Sequence, residues 1–236
     1  MRREDFPIDF SGLVFDEARH VYTVNGEVYE SVTSLLAREA DFREDTVIDK
    51  IIRMPNSVYY NASPAEIKEY WRFTAERGTE YHSTVEKWLT GETKRHQHQN
   101  WFLANGISPV DTFTEIRVYS TTLKISGTID LVKIDHKEKT IVVSDLKTSR
   151  KIDEKKFLSF NKQVLYYCWV LKFRLAETKS SLSEYTIRPG GIIHVQPAND
   201  FLQNRHSAEM RTPTFIPLGN TIIEELVIEE IIERLK

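Results

Sequence analysis

The 236 residues are 40% hydrophobic and 28% charged, the balance of an ordinary globular protein and enough chain to bury a core without covalent staples. A formal net charge of −3 excludes a globally basic nucleic-acid binder, so any such binding must come from a local patch. The single cysteine, Cys168, excludes an internal disulfide framework and a four-cysteine zinc or iron–sulfur site within one chain.

In chain order, Val21 to Val24 and Val28 to Tyr29 flank Asn25-Gly26, a two-residue hairpin signal. Ser31 to Ala40 reads as a short helix, a helix-prone polar region follows to about Arg53, and Met54 to Ala62 reads as a loop. Ser63-Pro64-Ala65-Glu66 carries a capping box with proline at the first helical position. The helical pattern then runs to Thr90 and stops at Gly91, with Gly78 inside it marking a break or a close approach. Glu92 to Asn105 is expected to be a second helix. Thr112 to Ser120, Thr122 to Ile134 and Thr140 to Lys147 are rich in Val, Ile and Thr, and their short connections predict an antiparallel three-stranded meander. Leu158 to Arg174 returns to helical period, with Phe160, Val164, Cys168 and Leu171 as its apolar stripe. Gly191 to Val195 reads as a strand, and Thr221 to Lys236 as an acidic amphipathic helix opening on a Thr221/Glu224 capping box. This order predicts an α/β (α+β) fold with a central mixed sheet flanked by helices. Residues 1–62 are expected to form a hairpin and helical extension packed on a core of residues 63–236.

Asp130 and Asp145 interrupt two apolar strands. An ionised carboxylate there needs a cation, an ion pair or a proton. With Lys137-Glu138 at the turn centre, Asp130 lies opposite Asp145, with Cβ atoms about 5 Å apart on a shared face; a one-residue slip separates them. Alternation along the strand puts Lys147 on the same face as Asp145. Two close carboxylates call for a cation, and oxygen ligands suit Mg²⁺ or Mn²⁺. The bland alternative is a structural Asp–Lys pair with an unrelated aspartate. His82 and Glu86 share a helix face, as a metal ligand with its support or as a surface pair. Gln163 and Tyr167 likewise share a face, as a polar ridge aimed at the sheet or as part of the apolar stripe. Arg150, Lys151, Lys155 and Lys156 form the best local basic cluster, opposed by Asp153 and Glu154; it would attract phosphates, or it is a solvated loop.

Taken together, Gly78-Thr79-x-x-His82-x-x-x-Glu86, Gly127-Thr128-Ile129-Asp130, Asp145-Leu146-Lys147-Thr148 and Gln163-x-x-x-Tyr167 resemble the PD-(D/E)XK nuclease superfamily, in its RecB-like exonuclease branch. The stretch from Arg77 to Leu171 carries the ordered set. The hairpin followed by Ser31-Val32-Thr33-Ser34-Leu35-Leu36 is similar to the entry segment of phage exonucleases and of mitochondrial genome maintenance exonuclease. The resemblance implies a restriction-endonuclease-like core and a Mg²⁺ (or Mn²⁺) ion held by His82, Asp130, Asp145 and the Leu146 carbonyl. In the same way it implies that Lys147 assists the attacking water, Glu86 supports the metal site or a second ion, and Gln163 and Tyr167 position the DNA strand or the lysine. Glu115 would stand behind the ligands as a further acid. Arg77 and Thr148 join Arg150, Lys151, Lys155 and Lys156 as residues expected to contact DNA. One cysteine leaves no iron–sulfur cluster, which points to cluster-free phage-type members.

The resulting expectation is a Mg²⁺-dependent DNA exonuclease of recombination, repair or replication, with a phage as one expected source and with DNA and a recombination or replication protein as partners. The alternatives are an endonuclease of the same superfamily, a non-catalytic nucleic-acid-binding module, and an interaction protein whose charges are ordinary ion pairs. The start, Met1 to Asp5, is too polar for a signal peptide and too acidic for a transit peptide. No apolar run reaches spanning length, so no membrane partner and a cytoplasmic setting, host cytoplasm for a phage protein, are expected.

Overall fold

Asn25 and Gly26 close the first hairpin with φ of 51° and 85°, the left-handed pair that a two-residue turn of this twist requires. They join β2 (Val21–Val24) to β3 (Glu27–Ser31), and β1 (Leu13–Asp16) pairs antiparallel with the outer edge of β2. The computed structural model describes residues 6–8, 10–17, 19, 21–39, 44–218 and 221–236. Two short helices follow, α1 (Val32–Glu39) and α2 (Glu44–Ile51), so Ala40 lies outside the described residues. The predicted capping box is present: Ser63 accepts from the Glu66 amide at 3.2 Å while the Glu66 carboxylate accepts from the Ser63 amide at 3.1 Å. From it springs the long α3 (Pro64–Leu89).

The meander follows as expected: β4 (Thr112–Ser120), β5 (Ile125–Asp135) and β6 (Thr140–Thr148). After α5 (Glu154–Glu177) the chain returns as β7 (Thr186–Val195), parallel to β6, then β8 (Thr214–Pro217), antiparallel to β7. The last element is α6 (Thr221–Arg234); the Thr221 half of its expected capping box falls outside the described side chains. Among the described residues the result is one mixed eight-stranded sheet, β1-β2-β3-β5-β6-β7-β8 with β4 paired to β5. Helices α1, α5 and α6 cover one face over a core that includes Val32, Ile116, Ile129, Val143, Val164, Leu171 and Ile231. Helices α3 and α4 (Gln99–Ala104) cover the other, over Tyr81, Leu89, Phe102, Leu131, Leu146 and Ile193.

Two irregularities place the site. First, one edge of β5 is shared by two strands: β3 pairs with it in parallel at Ile125 and Ser126, and β6 pairs antiparallel from Leu131↔Ser144 to Asp135↔Thr140. That register is the one expected from a Lys137-Glu138 turn centre. The ladder nevertheless ends one step before Asp130 and Asp145, where β6 leaves β5 and continues against β7 alone. Second, the residues of β4 and β5 in the α5-side core are Phe113, Ile116 and Val118, and Ile129, Val132 and Ile134. Steps of three, where an unbroken strand gives even steps, mean that both strands change parity, at Glu115 and Asp130. Glu115 carries the change with a left-handed φ of 52°. Asp130 therefore turns to the α3 side instead of sharing a face with Asp145 in a regular ladder.

Other differences have local causes. The expected helix over 92–105 shrinks to α4, because His96 is drawn inward against Tyr81, Trp88 and Phe102. Strand β7 begins five residues earlier than expected, with Pro189-Gly190-Gly191 absorbed at a register shift against β6. Helix α5 starts at Glu154 because Asp153 caps it, accepting from the Lys156 amide at 2.9 Å. At its other end Glu177 accepts from the Thr121 and Thr122 amides and the Ser120 hydroxyl at 2.8–3.1 Å. Burial opposes its charge, yet these bonds outweigh it and hold the carboxyl below its ordinary pKa. Glu177→Ala is expected to cost about 2 kcal/mol in urea unfolding, since it strips a charged acceptor from several donors.

Candidate active site

Ala75, Gly78, Thr79, His82, Ser83 and Glu86 recur at steps of three and four along α3, so they form one face of that helix. This face and the β4–β5–β6 surface enclose a cleft of about 420 Å³, completed by Glu115, Thr128, Asp130 and Thr148. Helix and sheet come close enough only because residue 78 has no side chain: a Cβ there would collide with Thr148 Oγ1.

At the cleft floor, one donor atom each of His82, Glu115 and Asp130 lie within 4.8 Å of one another. His82 Nδ1 is 3.9 Å from Asp130 Oδ2. That same oxygen accepts the Leu146 amide at 2.8 Å, so an aspartate side chain bridges the split where the β5–β6 ladder stops. Burial lowers the His82 pKa to about 4, reinforced by the Lys147 charge. The imidazole is thus neutral at pH 7 and able to ligate. Burial also raises the Asp130 carboxyl, against the pull of Lys147 and the Leu146 amide.

Asp145 stands apart. It is 1% exposed, and its Oδ1 accepts from Lys147 Nζ at 3.0 Å. Its other oxygen lies 2.8 Å from the same Nζ but out of line, and among the described residues it has no hydrogen-bond partner. Burial raises the Asp145 pKa to about 6, the Asp130 charge adding to it and Lys147 opposing. Burial works against the Lys147 ammonium too, but Asp145 and Asp130 outweigh it and keep its pKa above the ordinary value. Lys147 is therefore a cation at neutral pH, placed to donate and not to accept a proton. Its ammonium sits 5.0 Å from the Phe160 ring centroid on α5.

Tyr167 and Gln163 meet on α5, Gln163 Nε2 donating to the Tyr167 hydroxyl at 3.4 Å. Both are buried, and burial holds the phenol well above its usual pKa. The Tyr167 ring lies against Gly127, where a Cβ would come within 2.7 Å of Cε1. Gly127→Ala is expected to cost about 2 kcal/mol by overpacking a core with no room to yield. An unfolding titration checks this, and a smaller residue at 167 should recover the loss.

The structure thus gathers His82, Asp130, Asp145, Leu146, Lys147, Gln163 and Tyr167 at one place, with Glu86 and Thr148 on the cleft wall. Arg77 is not gathered: it pairs with Glu80 and lines a separate small cavity with Tyr81 and Met210. Arg150 is bound to Asp200 at 2.9 Å, while Lys151, Lys155 and Lys156 are exposed. Glu115, expected only behind the ligands, stands among them. Thr128 and Ser83 line the cleft with no prior role assigned, and Tyr22 reaches Thr128 Oγ1 at 2.9 Å from the N-terminal hairpin. A tyrosine on a hairpin strand gives no signal of that in the sequence.

The donor set suits a hard divalent cation: one imidazole nitrogen and two carboxylate oxygens. Among the described residues no helix is long and apolar enough to cross a membrane. No curated protein matches the chain significantly. Residues 43–225, which contain every one of these site residues, match the profile of the PD-(D/E)XK nuclease superfamily, whose nucleases use divalent metal ions. The match covers more than half of the chain, and the chain belongs to the PD-(D/E)XK nuclease superfamily.

Proposed function

We propose that the chain is a Mg²⁺- or Mn²⁺-dependent deoxyribonuclease, acting as an exonuclease in DNA recombination, repair or replication. The observation that carries the reading is the convergence of His82, Glu115 and Asp130 at the floor of an open cleft, beside the Asp145–Lys147 pair. His82, Glu115 and Asp130 would hold the ion, with Asp145 and the Leu146 carbonyl at its edge. When bound, it would polarise a phosphoryl oxygen and increase the acidity of water.

The chain's own groups do the rest. Lys147, a cation fixed by Asp145 and Phe160, orients the attacking water and offsets the negative charge that develops on the phosphoryl group. Gln163 and Tyr167 keep the sheet surface behind Asp130 rigid, and Glu86 lines the cleft one helical turn beyond His82. The exposed Lys151, Lys155 and Lys156 attract backbone phosphates toward the opening, and Thr148 presents its hydroxyl to the strand. The exonuclease reading, and with it the RecB-like branch and a phage origin, rests on the ordered motifs and the entry segment.

The test is degradation of labelled linear and closed circular DNA, single- and double-stranded, with Mg²⁺, Mn²⁺ or EDTA. Expected are metal-dependent loss of linear substrate and survival of circles. Nicking or linearisation of circles would make the enzyme an endonuclease, and inertness with every divalent metal would remove the catalytic reading.

A further inference from the structure

Arg117 lies directly opposite Thr128 in the β4–β5 ladder, so the two side chains share a face. Ile116 and Val118 on either side of it are buried in the α5-side core, which turns Arg117 to the α3 side, where Thr128 lines the cleft. Glu115 and Asp130 are two residues further along their strands, about 7 Å away. The Arg117 guanidinium is 5.2 Å from the Phe15 ring centroid. Phe15 stacks on Tyr22 at 4.3 Å, and the Tyr22 hydroxyl is 2.9 Å from Thr128 Oγ1. A closed circuit, Arg117–Phe15–Tyr22–Thr128, therefore ties the N-terminal hairpin to the wall of the cleft.

Among the described residues the acidic partner of this guanidinium is Glu17, at 3.6 Å and 81% exposed. An exposed pair of this kind contributes little and exchanges readily. On the cleft side Lys147 is held by Asp145, and of the nearby arginines Arg77 pairs with Glu80 and Arg150 with Asp200. A planar fork held against an aromatic ring and lightly countered suits a phosphate, which it can grip through two hydrogen bonds.

We propose that Arg117 binds a backbone phosphate of the nucleic-acid strand, next to the phosphate at the metal site. The hairpin residues Phe15 and Tyr22 set its position, and Glu17 occupies the fork until the strand arrives. This rests on the nuclease reading of the same cleft.

The test uses the full chain and a labelled single-stranded oligonucleotide, with fluorescence anisotropy in EDTA over a range of KCl concentrations. Arg117→Gln is expected to weaken binding about tenfold and to reduce the slope of log K against log salt by about 0.7, one phosphate's worth of counter-ions. Glu17→Gln should tighten binding, and Mn²⁺ affinity should stay at the wild-type value in both. An unchanged affinity and slope in Arg117→Gln overturns the proposal. So does a weaker affinity with an unchanged slope, which would mark a displaced hairpin and not a lost phosphate contact. Should Arg117→Gln fail to fold, Glu17→Gln decides: tighter binding supports the proposal and unchanged binding overturns it. If the wild type binds and cleaves DNA while the variants behave like it, Arg117 alone is rejected. If the wild type does neither, the nuclease reading falls first and takes Arg117 with it.

Discussion

Lys147→Ala is expected to reduce hydrolysis by about 10²–10³, the usual cost of removing one group aimed at developing charge, and to destabilise the protein as well. The stability loss arises because Asp145 is 1% exposed and its carboxylate would be left with no cation. Breaking a buried pair from one side costs about 3–5 kcal/mol, and the 20% exposure of the lysine side chain puts the expected value near the lower end. The two losses can be separated. Adding Asp145→Asn to Lys147→Ala removes the orphaned charge, so the double variant should unfold at a higher urea concentration than Lys147→Ala alone. It should remain as inactive, because no cation has returned. Full activity in Lys147→Ala would falsify the role given to the ammonium, and additive stability losses in the double-variant cycle would show that the pair is not energetically linked.

Glu115→Gln should weaken Mn²⁺ binding by about 10- to 100-fold, the range for disturbing one group of a metal site. Asp130→Asn should do at least as much, since Asp130 also ties the two strands through the Leu146 amide. Asp145→Asn should do less, because Lys147 already holds its carboxylate. Free Mn²⁺ measured by electron paramagnetic resonance during titration distinguishes the three. Wild-type affinity in Glu115→Gln, with a large loss in Asp145→Asn, would exchange the places of these two acids. It would restore the ligand set of His82, Asp130, Asp145 and the Leu146 carbonyl that the family resemblance implies.

Much of the site was legible in the chain because its signals are local. Ser63, Pro64 and Glu66 determine where α3 begins, and helical spacing then puts Gly78, His82 and Glu86 on one side of it whatever else the fold does. Asn25-Gly26 fixes the first hairpin by its need for two left-handed residues. Alternating Val, Ile and Thr give the meander, and a turn centred on Lys137-Glu138 gives the β5–β6 register. Even Asp130 and Asp145 announce themselves, as charges in apolar strands that need a partner.

Only the tertiary structure decided how those carboxylates divide their work. Where a ladder ends depends on what each strand pairs with on its far side: β6 departs to follow β7, β3 takes the other end of β5, and Asp130 is left at the opening between them. The parity change at Glu115 depends on one residue adopting a left-handed backbone, and glutamate does not advertise that in a sequence. It brings Glu115 to the cleft floor beside His82 and Asp130 and leaves Asp145 buried with Lys147. The approach of Tyr22 from more than a hundred residues away is likewise a consequence of packing. Local pattern determines elements and faces, because helix and strand periods are properties of a short stretch of backbone. The meeting of faces is set by long-range pairing, and in this protein it determined which acids converge at the cleft floor and which acid holds the lysine.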